Sequence, residues 1–192
     1  KKLVFFFDAS ERNKDLKYVN YLTEILFKNN FSRNDAIVCL GGGISGDLSA
    51  FAASIYKRGL KFINLPSTLL SQVDSSIGGK TGVNNKFGKN LIGSFYQPNL
   101  VISDTKLLDS LPKREVICGY AEIFKHSLIK NKKLFLFLNQ NIQNILKLKK
   151  NIIEKIILDS CKIKKEIVEQ DENESNLRKS LNLGHTFGHA YE

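Results

Sequence analysis

The sequence predicts an α/β part with a parallel sheet over residues 1–104, followed by an all-helical part over residues 105–192. Three observations lead to this prediction. Short apolar runs alternate with helical stretches in the first half, and a glycine-rich turn follows one of those runs. After residue 105 glycine becomes scarce and apolar side chains take up a 3.6-residue period. The 192 residues, 42% hydrophobic and 25% charged, can bury one good core or two small ones.

The α/β part is predicted from four strand-like runs and two helical stretches. KLVFFF is strand-like, and Asp15 to Lys28 has a helical pattern. AIVCL is a continuous apolar run of the kind found in buried parallel strands, and a helical stretch from about Asp47 to Lys57 follows it. KFINLP and LVISD, bounded by glycine, proline or aspartate, complete the alternation that predicts a parallel sheet.

The C-terminal part shows helical patterns and no strand signal. Ile152, Ile156, Ile163 and Ile167 form one apolar stripe, and REVICGYAEIFKHSLI contains a similar one. The chain has no internal repeat, so the second part is predicted as a single helical domain.

The glycine-rich turn CLGGGISGD follows a predicted buried strand and opens a predicted helix. Gly41, Gly42 and Gly43 would let the backbone approach a phosphate, and a helix starting near Gly46 would direct its free N–H groups at the anion. The turn is not G-x-G-x-x-G and lacks the Lys-Ser/Thr of a P-loop, which disfavours ATP hydrolysis. A phosphate site and a tight turn without a ligand both remain open.

The polar run LPSTLLSQVDSSIGGKTGVNNKFGKN is predicted to be an ordered functional loop, because loops of this length in compact domains are usually functional or disordered. Its lysines Lys80 and Lys89 suit a phosphate or a carboxylate, although exposed lysines usually only face solvent.

Two histidines near the end, in SLNLGHTFGHAYE, stand four residues apart. On a helix His185 and His189 would share one face. Thr186 occupies the position where a zinc protease carries its glutamate, so that chemistry is excluded. If these histidines serve a metal, the other ligands must come from elsewhere in the chain.

The net charge of +10 does not indicate a nucleic-acid partner, because basic and acidic residues are interleaved without a long block of one sign. No apolar run approaches the roughly 20 residues needed to cross a bilayer, and no secretory signal is found, so we expect a cytoplasmic protein without membrane partners. Cys39, Cys118 and Cys161 lack C-x-x-C spacing, which predicts neither a disulfide framework nor a thiolate zinc site. Because the chain contains no Met, we expect a fragment truncated at both ends.

Five blocks in one order resemble the 3-dehydroquinate synthase family. They are GGGISGDLSAFAASIYKRG, LPSTLLSQVDSSIGGKTGVN, GKNLIGSFYQP, SLPKREVICGYAEIFKH and LRKSLNLGHTFGHAYE, and the resemblance covers nearly the whole chain. It implies a Rossmann-like NAD-binding domain followed by an all-α metal-binding domain, with the active site between them and a homodimeric assembly.

The resemblance also implies a divalent metal, usually zinc with cobalt as the alternative. Its ligands would be Glu122, His185 and a further histidine beyond residue 192. His189 would then not be a ligand but a group beside the substrate that binds it or handles a proton.

The cofactor and substrate contacts follow from the resemblance residue by residue. Glu11 and Lys14 match contacts at the ribose and adenine end of NAD, and Gly42, Gly43 and Asp47 match the pyrophosphate turn. Further cofactor contacts are matched by Ser67, Thr68, Leu70, Asp74, Ser75, Lys80, Lys89, Ser110, Leu111 and Glu115. The substrate side is matched by Asp74, Lys80, Asn90, Lys125, Lys164, Arg178, Asn182 and His189, and Arg58 matches an arginine supplied by the neighbouring subunit.

Two residues depart from the family pattern, and a third lies beside a predicted site residue. Ser67 stands where threonine is usual but retains the hydroxyl, and Ala50 stands where glycine is common. His126 directly follows Lys125, so on a helix it points about 100° away, and a structural or solvent-facing role is predicted for it.

The implied activity is that of a carbon–oxygen lyase. A phosphorylated seven-carbon keto acid, 3-deoxy-D-arabino-heptulosonate 7-phosphate, would be cyclised to 3-dehydroquinate with loss of phosphate, a step of aromatic amino-acid biosynthesis. Three alternatives remain: a related sugar-phosphate cyclase such as 2-deoxy-scyllo-inosose synthase, a metal-dependent polyol dehydrogenase, and a binding relative without activity.

Overall fold

The computed structural model describes residues 2–191, with His189 described by its backbone alone. The chain forms two compact units. One unit consists of the chain up to Ser67 together with Gly79–Ser103, and the other consists of Thr68–Gly78 together with the chain from Asp104 onward.

The sequence prediction places the segment Thr68–Gly78 in the α/β part, whereas the structure assigns it to the helical unit. It groups with the helical unit because Leu69 and Val73, both fully buried, pack into the core of that unit. The predicted domain limit at 104/105 stays a prediction.

The α/β unit contains a three-stranded parallel sheet, as the sequence predicts. Its strands β1 (Ala36–Gly41), β2 (Lys61–Pro66) and β5 (Leu100–Val101) lie in the order β1-β2-β5. Helix α1 (Leu16–Lys28) precedes β1 and helix α2 (Gly43–Ile55) connects β1 to β2, while β3 (Lys80–Asn85) and β4 (Gly88–Phe95) form a separate antiparallel pair. Asp15 caps α1 by accepting a hydrogen bond from the Tyr18 backbone N–H at 3.1 Å.

The prediction of a first strand at KLVFFF is wrong, because the segment has no regular secondary structure. Its alternating side chains pack instead through edge-to-face aromatic contacts. Phe5 contacts Tyr21 and Phe7 contacts Tyr18, with ring centroids 5.7 and 5.1 Å apart, while Phe6 is 90% exposed.

Helix α2 begins at Gly43, earlier than the predicted start near Gly46 or Asp47. Only Gly42 separates it from the end of β1, and the Gly46 N–H donates to the Gly42 carbonyl at 3.1 Å. A Cβ on Gly41 would lie 2.7 Å from the Ser45 side chain. A strand-to-helix turn this tight therefore requires glycine at position 41.

The prediction that this run forms one long loop is wrong over most of its length, while its functional role stays a prediction. Ser71–Ser75 forms a π-helical turn, and the glycine-rich remainder forms the β3–β4 pair. A Cβ on Gly82 would lie 2.7 Å from the Ile92 carbonyl oxygen, and a Cβ on Gly93 would clash with the Thr81 carbonyl oxygen. These glycines look like loop residues in the sequence but allow two strand backbones to approach each other.

AIVCL forms β1 as predicted, but it is not fully buried. Within the described sheet β1 is an edge strand, and Val38 and Leu40 are 61% and 63% exposed. Cys39 points to the other face and is buried in the core of the unit.

The second unit is helical, as the sequence predicts, with no strand among its described residues. Its helices are α3 (Lys113–Lys130), α4 (Lys132–Leu146), α5 (Lys150–Gln170) and α6 (His185–Tyr191). A short helical turn at Thr105–Leu108 precedes α3, and another at Leu177–Asn182 lies between α5 and α6. The core contains Ile123, Leu138 and Ile156, each with 0% exposure. Among the described residues we find no helix with the length and apolar character that a membrane crossing requires.

Candidate active site

Five predicted site residues converge in the helical unit, and we call this group, with His126, the polar cluster. Its members are Asp74, Glu122, Lys125, His126, Lys164 and His185. Four elements position them: the π-helical turn carries Asp74, α3 carries three members, α5 carries Lys164, and α6 begins at His185. Glu122, Lys125 and His126 lie on α3 at positions i, i+3 and i+4, which places them on one side of the helix.

Each carboxylate of the polar cluster is paired with a buried ammonium group. Lys164 Nζ donates to Asp74 Oδ1 at 2.7 Å and also to the Asp74 backbone carbonyl. Lys125 Nζ lies 2.5 Å from Glu122 Oε2. The two lysines are 6% and 8% exposed. Buried charges of this kind are tolerated because each has a partner of opposite sign.

The pKa values in the polar cluster reflect this pairing. Burial alone would raise the pKa of Asp74, but the Lys164 ammonium group outweighs that effect and the pKa is lowered from its usual value. Burial lowers the pKa of His126 to about 4, with Asp74 opposing the shift and the two lysines adding to it. His126 is therefore neutral at pH 7.

The polar cluster also fits a metal ion by its chemistry. His185 Nε2 lies 3.7 Å from Glu122 Oε1. Glu122 Oε2 is buried and has no hydrogen-bond partner in the described part of the chain, since its contact with Lys125 is an ion pair that lacks hydrogen-bond geometry. A carboxylate oxygen and an imidazole nitrogen are ligands that zinc accepts. Asp74, Glu122 and His126 form a second grouping, in which one ligand atom from each lies within 4.8 Å of the others.

His126 is a residue whose position the sequence reasoning missed. Of the structural or solvent-facing role predicted for it, the solvent-facing alternative is wrong, because the ring has 0% exposure. The ring lies within reach of both carboxylates. The signal that could have identified it is its i, i+4 spacing from Glu122 on one helix.

Arg178 is held inside the helical unit. Its guanidinium donates to the Gly78 carbonyl at 2.8 Å and to the Glu172 carbonyl at 2.5 Å, and the residue is 2% exposed. Asn182 is exposed and donates to Glu174 Oε1 at 3.2 Å. The predicted role of His189 depends on a side chain outside the described residues. Substrate contacts by these three residues stay predictions.

A second group of predicted residues comes together in the α/β unit. Lys14 Nζ donates to Asp47 Oδ2 and to Asn90 Oδ1, both at 2.6 Å, and Lys14 is 5% exposed. Asn84, which the sequence analysis missed, joins this group to Glu11: it donates to Glu11 Oε1 at 2.8 Å and accepts from the Asn90 N–H at 2.8 Å.

The remaining predicted contacts lie at several places in the two units. Ser67 follows β2 and its N–H donates to the Gly41 carbonyl at 2.8 Å, beside Gly42 and Gly43 in the α/β unit. Thr68 Oγ1 bonds Ser71 Oγ at 2.8 Å in the helical unit, where Leu70, Ser75, Ser110, Leu111 and Glu115 also lie. Lys80, Lys89 and Arg58 are exposed residues of the α/β unit, and Arg58 has a left-handed backbone with φ of 65°.

Fold and site together define the class of this protein: a parallel α/β unit with a glycine turn between strand and helix, and a helical unit with a buried cluster of carboxylates, lysines and imidazoles. A family model described as "3-dehydroquinate synthase N-terminal" matches residues 4–118, and one described as "3-dehydroquinate synthase C-terminal" matches residues 119–192. The chain belongs to the 3-dehydroquinate synthase family.

Curated relatives and solved structures agree with this membership. The chain is 65% identical to a 3-dehydroquinate synthase of Pelagibacter ubique over 98% of its own length and 51% of the relative. It is 28% identical to 2-epi-5-epi-valiolone synthase from Streptomyces hygroscopicus subsp. jinggangensis, whose structure contains NAD+ and Zn2+, with a TM-score of 0.91 over 97% of this chain and 52% of that one.

A 2-deoxy-scyllo-inosose synthase structure, complexed with carbaglucose-6-phosphate, NAD+ and Co2+, is 33% identical with a TM-score of 0.89, over 96% of this chain and 50% of that one. The chain spans about half the length of the curated relatives it matches.

Proposed function

We propose that the protein is a 3-dehydroquinate synthase, a carbon–oxygen lyase that converts 3-deoxy-D-arabino-heptulosonate 7-phosphate to 3-dehydroquinate and phosphate with catalytic NAD and a divalent metal ion. The observation that supports this most directly is the polar cluster, in which the Glu122–His185 pair stands beside two buried ammonium groups. It occurs in a chain that is 65% identical to a 3-dehydroquinate synthase.

The α/β unit would hold NAD, which supplies a hydride acceptor that is regenerated within each turnover. The first N–H groups of a helix have no partner inside it, so the start of α2 at Gly43 can receive the diphosphate. Asp47 lies one turn further on and is fixed by Lys14. We propose that this pairing keeps the Asp47 carboxylate from repelling the bound diphosphate.

The helical unit would hold the metal through Glu122 and His185. The metal supplies a Lewis acid for the substrate hydroxyl and ketone oxygens. Lys125 lies 3.3 Å from His185 Nε2 as well as against Glu122, so its ammonium group occupies the space between the two ligands. Metal binding would therefore displace Lys125, which would then be available to a substrate anion.

Lys125 and Lys164 are the chain's candidates for binding the phosphate and carboxylate of the substrate. Both are buried, and a fixed cation in a water-poor site stabilises developing negative charge more strongly than an exposed one. Each would exchange part of its contact with Glu122 or Asp74 for a contact with the substrate. Holding the substrate in one conformer would contribute much of the remaining rate.

Replacement of Glu122 by glutamine tests the metal assignment. In the whole protein we expect Glu122→Gln to lose most bound zinc and to release no phosphate from the keto-acid substrate, while circular dichroism remains unchanged. Glu166→Gln is the matched control, because Glu166 is an exposed helix carboxylate that pairs with Lys130, at 2.8 Å, and does not belong to the polar cluster. Full zinc retention by Glu122→Gln would reject the assignment.

We propose that the protein is a homodimer in which Arg58 acts at the active site of the neighbouring subunit. We expect Arg58→Ala to abolish turnover while NAD binding is retained, because Arg58 is exposed in its own subunit and would act on the neighbouring one. Mixing Arg58→Ala with an inactive Lys125→Ala variant should restore part of the activity in heterodimers. If mixing restores no activity, Arg58 does not act across the interface.

A related sugar-phosphate cyclase is the second candidate function. The solved cyclase structures share the fold over nearly this whole chain, but their identities of 28% and 33% are well below the 65% of the 3-dehydroquinate synthase relative. Phosphate release from the keto-acid phosphate and from glucose 6-phosphate, measured side by side, distinguishes the two reactions.

A further inference from the structure

The imidazole of His126 is a buried polar group to which the proposed reaction gives no role. The residue has 0% exposure, and its Nδ1 lies 2.7 Å from Ser160 Oγ on α5. Its Nε2 is buried without a hydrogen-bond partner among the described residues. A buried ring nitrogen without a partner costs free energy, so a role for it is expected.

Two carboxylates lie near the His126 ring. A ring nitrogen of His126 lies within 4.8 Å of a carboxylate oxygen of Asp74 and of Glu122. Because Ser160 occupies Nδ1, Nε2 is the nitrogen left for the carboxylates. A separation of this size is closed by a small side-chain rotation or by one bridging water.

The chemistry of these neighbours determines which nitrogen carries the proton. Ionised carboxylates only accept hydrogen bonds, whereas a serine hydroxyl can donate or accept. The satisfying arrangement therefore has the Ser160 hydroxyl donating to Nδ1, and Nε2–H directed at Asp74 and Glu122. In the opposite tautomer, two groups that only accept hydrogen bonds would face the Nε2 lone pair.

We propose that His126 is a positioning residue whose Nε2–H, set by the Ser160 hydroxyl, orients the Glu122 and Asp74 carboxylates for the divalent metal ion. This proposal rests on the proposed function, because it assumes that Glu122 is a metal ligand. His126 does not itself bind the metal. Removal of a group that hydrogen-bonds to a metal ligand typically weakens metal binding about 10–100-fold.

Amide side chains separate this role from simple packing. In the whole protein, His126→Gln places an amide N–H near the position of Nε2, whereas His126→Asn can reach Ser160 but not the carboxylates. We expect His126→Gln to bind zinc nearly as tightly as the wild type, and His126→Asn and His126→Phe to bind it about 10–100-fold more weakly. Competition of the metal-stripped protein with a chromogenic zinc chelator measures the affinity.

Ser160→Ala tests the tautomer without altering the ring, and a drop in zinc affinity smaller than that of His126→Phe is expected. Ser127→Ala is its matched control. Ser127 is also buried on α3, but its hydroxyl donates to the Phe124 carbonyl of its own helix, at 2.6 Å, so zinc affinity should not change. Urea unfolding of each variant shows that differences in zinc affinity do not come from a loss of folding.

Two results would overturn the proposal. Wild-type zinc affinity in the glutamine, asparagine and phenylalanine variants alike would show that His126 only fills space. Equal loss in the glutamine and phenylalanine variants would show that the Nε2 lone pair binds the metal.

Turnover distinguishes failure of this proposal from failure of the proposed function. The His126 variants could show the expected order of zinc affinities while the wild-type protein releases no phosphate. That result would contradict the proposed function alone. Normal turnover by the wild type, together with unchanged zinc affinity in all His126 variants, would contradict the role of His126 alone.

Discussion

Replacement of Gly119 by alanine is expected to destabilise the helical unit, although alanine favours a helix over glycine by about 1 kcal/mol. Gly119 is buried in α3 against the Thr68–Gly78 segment. A Cβ at this position would lie 2.6 Å from Leu69 Cβ and Cγ and 2.7 Å from the Leu70 backbone nitrogen. Carbon atoms do not approach so closely without displacing their neighbours.

The size of the effect follows from what can move. Leu69 is fully buried, and the Leu70 nitrogen belongs to the backbone, so neither can turn away into open space. Overpacking of this kind costs about 1–3 kcal/mol, and contact with backbone places Gly119→Ala at the upper end of that range. After the gain in helix propensity, a net loss of about 2 kcal/mol is expected.

Urea unfolding followed by circular dichroism measures this loss as a lower midpoint at an unchanged slope. Gly188→Ala is the control, because Gly188 is also helical but a Cβ there would meet nothing within 4 Å. That variant should be as stable as the wild type or slightly more stable. A Gly119→Ala protein at least as stable as the wild type would refute the close packing of α3 on this segment.

Two further predictions concern ionic groups of the helical unit. Backbone N–H donors, first among them the Arg178 N–H, lower the pKa of Asp171 despite its burial. Its contribution to stability is therefore present above the unfolded-state pKa and is lost as the pH falls from that value through the folded-state pKa. The stability of Asp171→Asn should fall less steeply with decreasing pH than that of the wild type, as measured by acid unfolding monitored by fluorescence. Lys164→Met should cost about 1–3 kcal/mol, less than for a fully buried pair because the Asp74 side chain is 35% exposed. Adding Asp74→Asn should recover most of that loss in a double-mutant cycle, and an additive result would show that the two charges do not interact.

The helices and the parallel strands were predictable because their signals are local. The 3.6-residue period of α5, the Asp15 cap of α1 and the apolar runs of β1 and β2 each depend on neighbouring residues only. The helical prediction for the C-terminal part is confirmed for the same reason.

The errors occurred where a long-range contact overrides the local pattern. KLVFFF has the alternation of a strand but packs through aromatic rings onto α1. The glycines of β3 and β4 look like loop residues, yet Gly82 and Gly93 are required where the two backbones meet. Nothing near Leu69 and Val73 in the sequence shows that their partners lie in the helices after residue 104.

The residue types of the site and their spacing on α3 belong to the sequence alone, because the i, i+3 and i+4 relation of Glu122, Lys125 and His126 is fixed by helix geometry. Tertiary structure decided which groups meet. It brings Lys164 to Asp74 across 90 positions of the chain and Ser160 to His126 across 34. The Lys164 ammonium group then lowers the pKa of Asp74 against the effect of burial, and burial lowers the pKa of His126. Local spacing carries no information about such pairs, because they form only when the apolar faces of separate helices pack into one core.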